Sequence, residues 1–284
     1  MLPAARLPEA ASVDLPPLRE VIARYGLGAR KGLGQHFLLD LNLTRRIARA
    51  AEPLAGCSII EIGPGPGGLT RALLESEAAH VTAIERDPRC IAALQDLAAA
   101  YPGRLTIIGG DALALDPASL TAAPRKIVAN LPYNIATPLL LGWLRQIAQY
   151  QSLTLMFQKE VALRLAAAPR SRDYGRLSVV TQFLAEPRLL FDIPARAFVP
   201  PPNVTSTVVQ LTPRAIPLGV CELPALERIT AAAFGQRRKM LRASLRSLGG
   251  DAEALLATAG IAPTRRAEEL TVAEFCALAR TVVP

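Results

Sequence analysis

Ser58-Ile59-Ile60-Glu61-Ile62-Gly63-Pro64-Gly65-Pro66-Gly67-Gly68 reads as a short buried strand that empties into a glycine-rich turn and then a helix. Glycines at such a turn let a ligand approach the backbone closely, at the carboxyl end of a sheet where open α/β folds bind ligands. Gly63, Gly65 and Gly68 satisfy G-x-G-x-x-G by spacing alone, so the glycines do not decide the ligand. The prolines say more. A dinucleotide loop holds a pyrophosphate with backbone N–H groups and a helix N-terminus, and Pro64 and Pro66 have no N–H to give. The loop therefore suits an uncharged or cationic ligand section. S-adenosylmethionine (SAM), a sulfonium without phosphate, meets that description. A tight turn that serves only packing is the other reading of the same residues.

Outward from this loop the pattern alternates. Strands are predicted at 58–62, 80–85, 105–108, 126–129 and 152–157, with helices at 69–75 and 88–100 and helical stretches between the later strands. Parallel strands need crossovers and the crossovers are helices, so the fold class is α/β, Rossmann-like with a mostly parallel sheet covered on both faces. The β-branched density at 177–181 and 205–211 predicts an antiparallel pair closing one sheet edge. Composition changes near 212–223, with Pro213, Pro217, Gly219 and Pro224, and the remainder reads as helices at 223–234, 239–248, 251–259 and 271–282. The organisation expected is an N-terminal arm at 1–24, a catalytic domain at 25–213 and a small all-helical domain at 214–284.

Three strand ends carry the chemistry. Glu85 closes the second strand, where a carboxylate can accept both hydroxyls of an adenosine ribose; a solvated strand end is the plain alternative. Asp111 follows the third strand, placed to accept from an adenine amine with the Ala112 N–H facing a ring nitrogen, or simply to cap the next turn. The fourth strand runs into Asn130-Leu131-Pro132-Tyr133. An exocyclic adenine amine is a poor nucleophile because its lone pair is delocalised. Two neutral acceptors aimed at its hydrogens, the Asn130 amide oxygen and the Leu131 carbonyl, weaken that conjugation. Pro132 fixes the backbone and Tyr133 offers a face to the base.

Composition narrows the class further. Hydrophobic residues make up 51% of 284 and charged residues 20%, which excludes disorder for most of the chain. A net charge of +8 favours a polyanionic partner. Cys57, Cys90, Cys221 and Cys276 form no C-x-x-C pair, and His36 and His80 are the two histidines, so neither a zinc site, nor a disulfide framework, nor a His-based catalytic triad is expected. No metal is expected. The longest nearly apolar stretch, 135–144, is far short of the roughly 20 residues that span a bilayer. The N-terminus lacks the basic head and apolar run of a signal peptide, and the cytoplasm is the default compartment.

At these residues the chain resembles the small-subunit ribosomal RNA adenine dimethyltransferases, the KsgA/RsmA type. The resemblance runs from about Tyr25 to Ala279. It is carried by Lys31-Gly32-Leu33-Gly34-Gln35-His36-Phe37-Leu38, Glu61-Ile62-Gly63-Pro64-Gly65, Asn130-Leu131-Pro132-Tyr133-Asn134-Ile135 and Phe157-Gln158-Lys159-Glu160-Val161. Phe198-Val199-Pro200-Pro201-Pro202-Asn203-Val204 and Phe234-Gly235-Gln236-Arg237-Arg238-Lys239 complete the set. It implies SAM-dependent dimethylation of N6 on two adjacent adenosines in a hairpin loop near the 3′ end of 16S rRNA, with the small ribosomal subunit or its precursor as partner. It further implies that His36 and Leu38 close over the cofactor and that Gly63 and Gly65 contact it in the loop. Glu85 takes the ribose, Asp111 and Ala112 take the adenine, and Asn130 lies between cofactor and target. Phe198 would stack on the target base opposite Tyr133. Many relatives carry Asn where this chain has His36, which makes a backbone contact there more secure than a side-chain one; structurally, His36 could instead cap the helix beginning near Asp40.

Arg237, Arg238, Lys239, Arg242 and Arg246 occur in 235–246 with no acid among them. On a helix beginning near Arg238, residues 238, 242 and 246 share one face. A solvated basic face is the ordinary account of such a run; beside a nucleotide-modifying domain, contact with RNA phosphates is favoured, and a target adenosine leaves a loop more cheaply than a duplex. A monomer without membrane association is expected. Two other classes fit the motifs: a DNA adenine or large-subunit RNA methyltransferase, and a binding or assembly factor built on a retired enzyme.

Overall fold

The computed structural model describes residues 14–28 and 34–282. Most of the arm expected at 1–24, and the Lys31-Gly32-Leu33 part of the first motif, lie outside the described residues. The first elements are α1 (Leu18–Arg24), β1 (Phe37–Leu38), α2 (Leu41–Ala50), β2 (Ser58–Ile62), α3 (Gly68–Leu74), β3 (His80–Glu85) and α4 (Pro88–Ala100). There follow β4 (Leu105–Gly109), β5 (Arg125–Asn130), α5 (Tyr133–Arg145), β6 (Ser152–Gln158), α6 (Lys159–Leu165), α7 (Arg176–Leu184), β7 (Ala185–Ile193), β8 (Phe198–Val199) and β9 (Ser206–Pro213). The chain closes with α8 (Leu223–Gly235), α9 (Leu241–Ser244), α10 (Ala252–Thr258) and α11 (Val272–Arg280).

Two compact units are present, Met1–Asn134 with Ala195–Pro202, and Ile135–Pro194 with Asn203–Pro284. In the first, parallel strands run in the order β4-β3-β2-β5, which is the Rossmann-like arrangement expected. Ile59, Ile60, Val81, Ala83, Val128 and Ala129 are all fully buried, as continuous apolar strands covered on both faces must be. Asp87 caps α4 by accepting from the Arg89 N–H, and Pro88 fills the first helical position, where a missing N–H costs nothing. A two-stranded antiparallel ribbon pairs Phe37 with Val199 and Leu38 with Phe198.

The second unit contains β6-β9-β7, all antiparallel. Here one expectation fails. Residues 177–181 lie in α7, and β9 pairs instead with 185–193. Ser178 accepts from the Gly175 N–H at 3.0 Å and donates to the Arg164 carbonyl at 2.6 Å, which fixes the first helical turn. Val179, Val180 and Thr181 are buried on the helix, and that burial outweighs their β-propensity. The core of this unit draws on both sides of residue 213, joining Tyr174 and Val179 to Leu226, Leu241 and Phe275. Tyr174 donates its hydroxyl hydrogen to the Leu270 carbonyl at 2.8 Å. Thr271 and Glu274 form the reciprocal cap read from the sequence at the start of α11.

Candidate active site

The cofactor face is built on backbone. Gly63 and Gly65 take φ of +66° and +58°, a region that L side chains enter rarely. A Cβ on Gly65 would sit 3.0 Å from the Phe37 ring, and one on Gly68 would sit 2.8 Å from the Leu38 carbonyl, so β1 lies directly on the loop. Glu85 is 6% exposed. Its Oε2 accepts from the Gly65 N–H at 3.0 Å, and its Oε1 from Arg86 and Asp87 at 2.7 and 2.8 Å. Burial pushes its pKa up, and the three N–H groups pull the other way. The carboxylate is thereby locked in one orientation with lone pairs to spare. Asp111 Oδ1 does cap the next turn, accepting from Leu113 at 3.0 Å, while Oδ2 lies 3.4 Å from the Arg86 guanidinium. Ala112 is buried beside it.

Sequence reasoning missed two acids here. Glu61 is 2% exposed; burial raises its pKa to about 8, against the pull of a Thr70 hydrogen bond. Its place two residues before Gly63 was the available signal. The Asp87 side chain binds Arg89 (2.7 Å) and Gln35 (3.3 Å), and the Arg89 hydrogen bonds hold its pKa at about 2. Arg89 in turn donates to the Gly26 carbonyl at 2.6 Å.

At the reacting end, Asn130 Nδ2 donates to the His36 carbonyl at 3.2 Å. That contact identifies the nitrogen end of the amide and leaves Oδ1 as the acceptor end. Leu131 is buried, and Pro132 packs against Gly63, its Cδ 3.4 Å from where a Cβ would stand. Tyr133 is half-buried and opens α5. Its ring centroid is 5.5 Å from that of His36, at 31°. His36 caps no helix, because Asp40 itself accepts from the Asn42 N–H at the start of α2; His36 Nδ1 instead contacts the Pro200 carbonyl at 2.8 Å. Phe198, expected on the target base, is 2% exposed and pairs with Leu38 in the ribbon.

The basic segment departs from expectation as well. Gly235 ends α8, Lys239 closes a turn onto the Gln236 carbonyl, and α9 begins only at Leu241. Arg238 is therefore not on one helix with Arg242 and Arg246, because the glycine and the turn break the run. Arg237 is turned inward, bridging Glu268 at 2.9 Å and donating to the Arg172 carbonyl at 2.6 Å. Arg238, Lys239, Arg242 and Arg246 are exposed. Among the described residues no cluster of metal-ligating side chains occurs, and no helix is long and apolar enough to cross a membrane.

This combination, a glycine loop at the end of one parallel strand and acids at the ends of the next, places the chain among the Rossmann-like methyltransferases. The solved dimethyladenosine transferase from Plasmodium falciparum shares the fold, with a TM-score of 0.75 over 86% of this chain and 96% of that one at 23% identity. The 23S rRNA methyltransferase ErmE follows at 0.64 and 28%, covering 86% and 98% of the two chains. The chain belongs to the ribosomal RNA adenine dimethylase family, whose model matches residues 26–282. The ribosomal RNA small subunit methyltransferase A of Paramagnetospirillum magneticum is 66% identical over 95% of both chains. That of Rhodospirillum rubrum is 62% identical over 94% of this chain and 93% of its own.

Proposed function

We propose that this protein transfers methyl groups from SAM to N6 of two adjacent adenosines in a hairpin loop near the 3′ end of 16S rRNA, two on each. The residues present fit the cofactor. The loop is a cradle that side chains would fill, and its prolines withhold donors from a phosphate. Gly63, Gly65, Glu85, Asp111 and Ala112 would hold the cofactor, with the backbone of His36 and Leu38 closing over the loop. SAM supplies a methyl group on a positively charged sulfur.

The observation that carries the reading is the Asn130–His36 hydrogen bond. With its nitrogen turned to that carbonyl, the amide presents Oδ1 to the target amine. Asn130 Oδ1 and the Leu131 carbonyl accept the two N6 hydrogens, draw the lone pair out of the ring, and stabilise the cationic product until water takes a proton. Tyr133 supplies a face for the base. Arg238, Lys239, Arg242 and Arg246 take phosphates of the small subunit or its precursor, with Arg237 bracing the segment from behind. Incubation with methyl-labelled SAM and small subunits lacking the modification, followed by nucleoside analysis, should yield N6,N6-dimethyladenosine. Label in any other nucleoside, or in none, refutes the assignment.

A further inference from the structure

We propose that the His36 side chain serves the target base rather than the cofactor: it is a positioning residue that fixes the Tyr133 ring and the strand end at Pro200 for the incoming adenine. The proposal rests on the adenine-methylation reading above. Among the described residues His36 makes three contacts on the reacting side. A carbonyl oxygen can only accept, so the 2.8 Å contact with Pro200 means that Nδ1 carries the hydrogen and donates it. The ring lies against Tyr133, centroids 5.5 Å apart. The main-chain carbonyl receives the Asn130 amide. None of the three reaches the glycine loop or Glu85.

Its neighbour faces the other way. Gln35 donates to Asp87, whose own N–H binds the Glu85 carboxylate. Two consecutive residues thus divide the site, Gln35 toward the cofactor carboxylate and His36 toward the base. Tyr133 gains from His36 a fixed ring plane, and Pro200 keeps the end of β8 tied to the residue that precedes Phe37. The His36 side chain contacts Tyr133 and Pro200 and not the glycine loop or Glu85, so its loss should appear in the use of RNA and not in cofactor affinity.

The test compares wild type with His36→Ala, His36→Phe (ring without donor) and His36→Asn (donor without ring). SAM affinity is read by calorimetric titration, and steady-state methyl transfer by varying small subunits that lack dimethyladenosine. SAM affinity should stay within about twofold in all three. Loss of one neutral hydrogen bond and one ring contact should lower kcat/KM for the subunit about tenfold in His36→Ala. The Phe and Asn variants, each retaining one contact, should fall between. The proposal is overturned if SAM binding weakens in step with transfer, or if transfer is unchanged in His36→Ala. Wild-type protein that methylates no adenosine would instead refute the reading on which the proposal rests.

Discussion

The glycine-loop face and the basic segment treat charge in opposite ways. At Glu85 three backbone N–H groups hold one carboxylate, and at Asn130 a carbonyl fixes one amide, so each polar group is pre-set before any ligand arrives. In the basic segment Arg237 is held by the protein itself, through Glu268 and the carbonyls of Ser171 and Arg172. Its exposed neighbours have no such fixation among the described residues. Chemistry needs groups placed to a fraction of an ångström, whereas phosphate attraction tolerates a mobile cation. A cation that is well fixed in the folded chain is one already used for folding.

The sharpest way to break this contrast is Asn130→Ala. It removes both the acceptor and its tether, and methyl transfer should fall by a factor of roughly 10³, with SAM affinity measured by titration changed only several-fold. Retained turnover would show that a fixed acceptor is not needed.

Next in size, Arg238, Lys239, Arg242 and Arg246 changed together to Gln should flatten the dependence of log K on log salt by about 2.8, at roughly 0.7 for each phosphate contact. Arg237→Ala should leave that slope alone and lower stability by about 1 kcal/mol, a modest figure because the ion pair is partly exposed. Filter binding across a salt series, with thermal melts, separates the two; a slope loss in Arg237→Ala would erase the distinction drawn between them.

The smallest effect concerns Glu61. Its folded pKa of about 8 lies above the ordinary carboxylate value, so the folded chain binds the proton more tightly than the unfolded one. The stability from this group is full below about pH 4.5 and is lost as pH rises through 8. Glu61→Gln should flatten the fall of Tm between pH 5 and 8, raising Tm at pH 8.5 by roughly 2–4 °C for each kcal/mol recovered. An unchanged pH profile would place the titration elsewhere.

Much of the first unit was legible because its signals are local. The strands at β2 and β3, the Pro88 start of α4 and the positive-φ glycines each follow from a few adjacent residues. What was not legible depends on distant partners. The helical state of 177–181 needs a core drawn from 226–275, Arg237 needs Glu268, and His36 needs Pro200. The pairing of Phe198 with Leu38 is likewise one that no spacing along the chain announces.

Gly68 touches no reacting atom, yet its missing methyl is where the Leu38 carbonyl rests. A one-carbon insertion there would act as a wedge, lifting β1 and with it the His36 carbonyl from the Asn130 amide. In a random mutagenesis screen such an allele would look like a damaged catalyst while every catalytic side chain remained intact.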